Sequence, residues 1–489
     1  FSQGVAVGAG VVISQYLGAG DHKETREAVH TSLAIAVLMG LVLTIGGVAC
    51  CRALLTAMNN PAEVMGDAVT YLRLYFGGVL FSVVYNMTAG ILNAAGNSRR
   101  SLVYLAWASV TNIVLDLVFI VGLRMGVAGA AIATDLSQLV SCVLSLRFLM
   151  KSEDACRVEL SAIRLHRKMA GRIIRVGLPT GIQNMVISFS NVLVQASVNS
   201  YGAAAMAGFA AYMKIDGFNI LPVSSISMAA TTFVGQNYGA GRLDRVKRSV
   251  WVTLAIGVIY TLCTGAALLA GQDAILHLFT ADEAVVTYGK LAMRWFCPFY
   301  FLLSILHGLA GAVRGTGASI PPMVVLLVSL CLFRVVWIQF LLPFFSGIEG
   351  VFILYPVSWG LGAVLMILYA WKGREFWGGE VLRREKSMKP GTLLCMVCLC
   401  AGTQMVNFVW INLLELVMNC FGRSATGTLD AVSGSSDTVS MFLYASFLAP
   451  ISEELIFRGF VLRRHGSRNG FVEPLDCQII VRSQRIGHE

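Results

Sequence analysis

Residues 15–20 read QYLGAG and residues 236–241 read QNYGAG. Each hexad closes an apolar stretch and opens a charged loop, DHKETREAV after the first and RLDRVKRSV after the second. Their glutamines, at 15 and 236, lie 221 positions apart. LNAAGNS at 92–98 and VRGTGAS at 313–319 repeat at the same offset, with Gly96 over Gly317 and Ser98 over Ser319. Two independent matches at one offset predict a duplication. AVTYLR at 68–73 resembles VVTYGK at 285–290 at an offset of 217, so a few residues were gained or lost between the anchors. Downstream, Gly126-Val127 pairs with Gly350-Val351.

The stretches between these anchors are membrane material. Of the 489 residues, 56% are apolar and 13% charged, and the mean hydropathy of +0.71 excludes a water-soluble domain. The apolar residues form blocks of roughly 20 to 30, long enough to cross a bilayer as helix. Spans are predicted near 30–50, 67–92, 101–123, 126–149, 176–199, 206–234, 249–271, 284–310, 320–344 and 350–371, with a partial one at 1–17 and two more near 391–420 and 439–460. No cleaved signal peptide is recognisable, and Phe1 falls within an apolar stretch, which predicts a start inside a helix.

A net charge of +10 could point to nucleic acid, but the basic residues sit in short loops between spans. Seven Lys or Arg lie between Lys151 and Arg175, and others fall at Lys23/Arg26, Arg99/Arg100, Arg242 to Arg248, Arg314 and Lys372/Arg374. The alternate loops hold Arg52, Arg124 and acids such as Asp67, Asp282, Glu283 and Glu349. This alternation places the basic loops in the cytoplasm and makes the lipid bilayer, with no nucleic acid, the expected surroundings. Both hexads open onto the same side, so each half holds an even number of spans, six when complete. The expected fold is all-α and polytopic: two six-helix lobes related as parallel repeats about an axis along the membrane normal, the first lobe truncated, with two additional C-terminal helices. If Phe1 matches Pro222, the first half lacks about one span and part of another. The expected boundaries are a first lobe at 1–150, a cytoplasmic linker at 151–175, a second lobe at 176–371, a charged linker at 372–390, a further membrane segment at 391–464 and a polar tail at 465–489.

With these residues in view, the chain resembles the multidrug and toxic compound extrusion (MATE) family over residues 1 to about 375. The Q-x-x-G-A-G endings stand as Gln15 to Gly20 and Gln236 to Gly241, and the R-G-x-G-like element as Arg314-Gly315-Thr316-Gly317. Asn112 to Gln138, NIVLDLVFIVGLRMGVAGAAIATDLSQ, is similar to a stretch of that family's first lobe. The resemblance implies a twelve-helix, V-shaped antiporter that expels cationic or amphipathic drugs in exchange for Na⁺ or H⁺. It also implies a coupling carboxylate on a first helix that this chain is expected to lack.

Ionisable groups within spans are costly and usually face a cavity or a partner. Asp116 lies mid-span one helical turn after Asn112, so the two share a face and offer hard oxygen ligands suited to Na⁺. The alternative is a structural, hydrogen-bonded Asp116 that holds helices together within its lobe. Arg334 occupies roughly the equivalent place in the second half, either pairing with an anion or holding its own lobe together. His307 titrates in the physiological range when unperturbed and could relay protons, or could simply pack. Gln183, Asn184, Asn191 and Gln195 form a polar stripe at helical spacing, lining a cavity or bonding between helices. Pro179 and Pro222 permit kinks, and Gly77/Gly78 and Gly308/Gly311 permit close helix contact.

Twelve cysteines lie mostly in apolar spans, as packing residues rather than a disulfide framework. Cys395, Cys398 and Cys400 cluster without a nearby His, so no metal site is predicted. PISEELIFRGFVLRR at 450–464 contains Glu453-Glu454 and Arg458, an EExxxR element that resembles the first motif of the CPBP family of intramembrane metalloproteases. The resemblance implies one Glu activating water and metal ligands on later helices, with zinc as cofactor only if that segment were complete. The later motifs, F-x-x-x-H and H-x-x-x-[ND], do not follow on a further span.

The leading expectation is therefore a multi-pass, monomeric exporter of a bacterial cytoplasmic membrane, with a small-molecule substrate, Na⁺ or H⁺ as coupling ion and no cofactor. A lipid-linked saccharide flippase of related fold is the second transport reading, and a protease centred on the EExxxR element the competing enzymatic one.

Overall fold

The motif glycines end helices. Gly20 and Gly241 adopt φ of 72° and 70°, and Gly96 and Gly317 adopt 79° and 92°. This left-handed conformation costs glycine nothing and closes an α-helix, so the two repeated elements are two matched pairs of helix stops. The computed structural model describes residues 2–57, 62–345 and 347–372, and those residues are helical almost throughout, with no strand among them.

In the first half run α1 (Ser2–Ala19), α2 (His22–Ala57), α3 (Ala62–Ala94), α4 (Ser98–Asp116) and α5 (Gly126–Lys151). In the second run α6 (Arg167–Asn199), α7 (Ala203–Gly239), α8 (Leu243–Ala270), the short α9 (Gln272–His277), α10 (Glu283–Phe296), α11 (Tyr300–Gly315), α12 (Ile320–Leu327), α13 (Phe333–Val336) and α14 (Glu349–Lys372). Nine helical segments among the described residues are long and apolar enough to cross a bilayer, and α1 and α6 run beside them. The chain is a multi-pass integral membrane protein. The expected membrane segment at 391–464, the flanking stretches at 372–390 and 465–489, and Glu453, Glu454 and Arg458 with it, lie outside the described residues apart from Lys372.

The interior divides as the duplication requires. One apolar core joins residues of α1, α2, α3, α4 and α5, among them Ile13, Leu33, Met87, Ile91 and Leu149. A second joins α7, α10, α11 and α14 and is rich in rings: Phe209, Tyr212, Phe296, Tyr300, Phe352, Tyr355 and Trp359. Ring centroids of Phe296 lie 4.7 Å from both Tyr212 and Tyr355, at the spacing that tilted aromatic pairs prefer. Helix α6 belongs to both. Its Met169, Ala170, Ile173 and Val176 pack into the first core, and Val194 and Val198 into the second. It begins at Arg167, nine residues ahead of the expected span, because its basic first turns extend as helix outside the apolar stretch.

Where the helices break differs from expectation. Neither Pro179 nor Pro222 interrupts its helix. The break between α10 and α11 falls at Cys297–Phe299, a single tight turn containing Pro298. The span after α4 widens into a π-turn at Leu117–Gly122, and its repeat-equivalent after α12 does so twice, at Val328–Leu332 and Trp337–Leu341. Such wide turns leave the i→i−4 ladder and recur at functional positions. Asp116 is the last residue before the first of them, and Arg334 lies between the other two.

The segment joining the halves is tied to the first. The His30 Nε2 accepts the Glu159 N–H at 3.0 Å while its Nδ1 donates to the Arg26 carbonyl at 2.7 Å, which fixes a neutral imidazole tautomer. Arg26 pairs with Glu159, and the His166 N–H donates to Thr31 Oγ1 at 3.4 Å.

Candidate functional site

Two polar centres lie inside the lobes, and they are built differently. In the first lobe Asn112 is buried and Asp116 half-buried, one turn apart on α4. The Asn112 Nδ2 and the Asp116 Oδ1 are both buried atoms with no hydrogen-bond partner. An orphaned carboxylate oxygen inside a membrane protein is costly and calls for a ligand. Asp135 on α5 is a residue that the sequence reading passed over. Its carboxyl rests against the backbone of Gly78 on α3, where a β-carbon would overlap it. Tyr71, also on α3, stands within electrostatic reach of both Asp116 and Asp135, and its ring stacks on Tyr75 at 6.1 Å. Asp116 and Asn112 on α4, and Asp135 on α5 against Gly78 of α3, give this lobe two carboxyls and an amide within its spans. The chemistry of that donor set is hard oxygen, fitted to an alkali cation or a proton.

The second lobe holds its carboxyl in a closed ring of oxygens. Asp216 on α7 is buried, and its Oδ1 lies 2.9 Å from the Tyr212 hydroxyl and 2.5 Å from the Tyr300 hydroxyl. The two hydroxyls are 2.7 Å from each other. One turn on, the Asn219 Oδ1 accepts from Thr264 on α8 at 3.0 Å while its Nδ2 is buried without a partner. Neither Asp216 nor Asp135 was singled out from sequence, although a charged residue within an apolar span was the available signal for both.

The amide stripe of α6 meets two arginines. The Arg314 Nη2 donates to Gln183 Oε1 at 3.2 Å, and the Arg334 Nη1 donates to Asn191 Oδ1 at 3.2 Å. Arg334 also donates from Nε to Ser358 Oγ at 3.2 Å, and its guanidinium lies 4.4 Å above the Tyr355 ring. Gln195 donates to Asn199 on its own helix at 2.9 Å, and Asn184 is half-buried. The interhelical reading therefore describes Gln183 and Asn191. The placement of Arg314 among basic loop residues is corrected: α11 runs on to Gly315, so the guanidinium is carried inside and buried. His307 is half-buried, and its carbonyl accepts from Ser227 Oγ at 2.7 Å. Among the described residues, no hydrogen bond or ion pair joins it to either carboxyl centre.

The lobe pairing, the repeated helix stops and the intramembrane polar centres can be set beside known proteins. The MatE family model matches residues 1–118 and 179–338, more than half of the chain. The chain belongs to the MatE family. The probable multidrug resistance protein YpnP of Bacillus subtilis is 29% identical over 378 residues, covering 77% of this chain and 83% of that protein. The probable multidrug resistance protein NorM of Thermotoga maritima is 27% identical over 397 residues, covering 79% and 84%. Among solved structures, an outward-facing conformation of a multidrug resistance MATE family transporter matches with a TM-score of 0.72 at 23% identity, covering 75% of this chain and 83% of that one. A transporter of the same superfamily from Pyrococcus furiosus matches at 0.70 and 23%, with the same coverage. The fold of this MatE member is thus the MATE fold. A second family model, type II CAAX prenyl endopeptidase Rce1-like, matches residues 435–481, the stretch that carries Glu453, Glu454 and Arg458.

Proposed function

We propose that this MatE protein exports cationic or amphipathic small molecules across a bacterial cytoplasmic membrane, as a monomer, in exchange for Na⁺ or H⁺ taken up by the first lobe. The observation that carries the reading is the buried Asp116 Oδ1, an acceptor with no hydrogen-bond partner, one helical turn from Asn112. Family membership and the multidrug-resistance relatives support the transport class. In the mechanism, Asp116 supplies the charge that the cation neutralises, and Asn112, with its carbonyl oxygen, supplies a neutral ligand or an acceptor. Cation and drug each favour one arrangement of the lobes, so each shifts the equilibrium by its differential affinity. Arg334 is buried and already engaged by Asn191 and Ser358, which argues against the broad cationic groove that a saccharide-phosphate flippase would need.

The test is ethidium and norfloxacin efflux from cells producing the protein, under an imposed Na⁺ or H⁺ gradient. Efflux should follow one of the two gradients and disappear in Asp116→Asn at equal membrane abundance. Unchanged drug accumulation, despite confirmed insertion of the unsubstituted protein, overturns the reading.

A further inference from the structure

The repeated glutamines are used by neither polar centre. Gln15 lies in the last turns of α1, and its Nε2 donates to the carbonyl of Gly315 at 3.0 Å. Gln236 lies in the last turns of α7, and its Nε2 donates to the carbonyl of Ala94 at 2.8 Å. Gly315 is the final residue of α11 and Ala94 the final residue of α3. The two glutamines differ by 221 positions, and so do the two carbonyl residues. The bonds are therefore one bond made twice, each lobe reaching into the other. The last carbonyls of a helix have no partner within it, so each amide satisfies an acceptor that water would otherwise take.

The glycines of the same motif set the distance. A β-carbon on Gly18 would overlap the backbone of Gln236, and one on Gly239 would overlap the backbone of Gln15. Gly18 and Gly239 also differ by 221 positions. Ser14 and Val11 lie beside Gly235, so α1 and α7 touch along their last turns. The basic loops beginning with Lys23 and Arg242 follow at once.

We propose that the duplicated Q-x-x-G element is a two-bond clasp between the lobes, and that release of both glutamine bonds opens the cytoplasmic mouth. The direction rests on the exporter reading, whereas the clasp itself rests on geometry alone. Its parts suit a reversible closure. Amides and main-chain carbonyls are neutral and exchange readily with water, no charge is stranded when the lobes part, and each glycine lets the helices separate or re-seat without interlocking side chains. Because both bonds span the same pair of lobes, breaking one loosens the other.

Hydrogen–deuterium exchange on the full chain in lipid nanodiscs tests this without reference to drug transport. Gln15→Met, which keeps length and removes the donor, should raise exchange severalfold in peptides covering 310–317 and also in those covering 91–97, across the pseudo-twofold axis. Gln236→Met should give the same pattern, and the double variant a larger one. Gly18→Ala, a wedge that leaves both glutamines intact, should raise exchange at all of these segments. Exchange that rises only among the amides of the segment whose own glutamine donor was removed, or that is unchanged, overturns the clasp. Peptides covering 348–366, which supply Ile348, Phe352 and Met366 to the second core, serve as the folding control and should not change. A functioning clasp without ethidium efflux would count against the exporter reading alone.

Discussion

Asp116 and Asp216 are both aspartates on membrane helices, one in each lobe, and their surroundings are opposite. Asp216 sits among rings and receives two tyrosine hydroxyls. Asp116 has a buried oxygen that nothing in its lobe satisfies. The difference teaches that an intramembrane acid is not by itself a transport residue. A carboxyl whose hydrogen-bonding capacity is met by its own lobe contributes to the lobe, and one left unmet is available to a ligand.

The sharpest way to break this contrast is to neutralise each acid in turn. Asp116→Asn should lower gradient-driven ethidium uptake into everted vesicles tenfold or more, while Asp216→Asn, which keeps an acceptor for Tyr212 and Tyr300, should retain most of it. Equal losses in the two variants would erase the distinction. Stability should run the other way. Asp216→Leu removes the acceptor from two buried hydroxyls and should cost about 1–3 kcal/mol in unfolding from detergent micelles. Asp116→Leu removes an unsatisfied group and should leave the unfolding midpoint unchanged or raised.

A third substitution tests the neighbour that the structure adds. Gly78→Ala places a methyl where the Asp135 carboxyl rests. Displacing that carboxyl should weaken apparent coupling-cation affinity by about 1 kcal/mol, roughly fivefold, in a titration of efflux against Na⁺ or H⁺. An unchanged titration would confine the candidate site to α4.

The smallest effect is expected at the loop between α8 and α10, where no carboxyl is buried. His277 Nδ1 donates to the Asp273 carbonyl at 2.7 Å, and its Nε2 lies 3.2 Å from the Glu283 carboxylate. The Asp273 carbonyl first, and Glu283 after it, hold the imidazole above its ordinary value of 6.5. A raised value in the folded state means that the contribution is complete below pH 6.5 and is lost as pH rises through the higher folded value. His277→Gln should therefore lower the melting temperature slightly at pH 5.5 and not at pH 9, with efflux unaltered. The exposure of this loop keeps the shift small.

Span positions were legible because a twenty-residue apolar block has only one way to satisfy its backbone in lipid. The stops at Gly20 and Gly241 were legible too, since each hexad closes an apolar stretch, whereas Gly96 and Gly317 stood out only as a repeat until their positive φ was seen. The pairing of Tyr212 with Asp216 was available at i, i+4 spacing, but Tyr300, which completes the ring, is 84 positions away and no local rule reaches it. The same holds for the glutamines. Their repetition announces a symmetric role, yet the acceptors are main-chain carbonyls, which every residue carries and no side-chain pattern marks. The wide turns around Asp116 and Arg334 have no sequence signature in a stretch of Val, Leu and Phe that would equally suit a regular α-helix. Arg314 was misplaced because a cation near a helix end reads as a loop residue unless its buried acceptor, Gln183, is known.

Helix α6 carries a consequence for biosynthesis. Its first turns seat on the core made by α1 to α5, and the connecting segment before it is fastened to α2 through His30 and Arg26. All of these partners leave the ribosome before Arg167 does, whereas Phe209, Phe296 and Phe352 leave it after α6. The newborn first lobe can therefore act as a template: it orients α6 with Val194 and Val198 turned toward lipid, and these become the nucleus on which the aromatic second lobe is laid down. An insertion between residues 152 and 166 that frees this tether would strike the assembly of a lobe in which no residue had been altered.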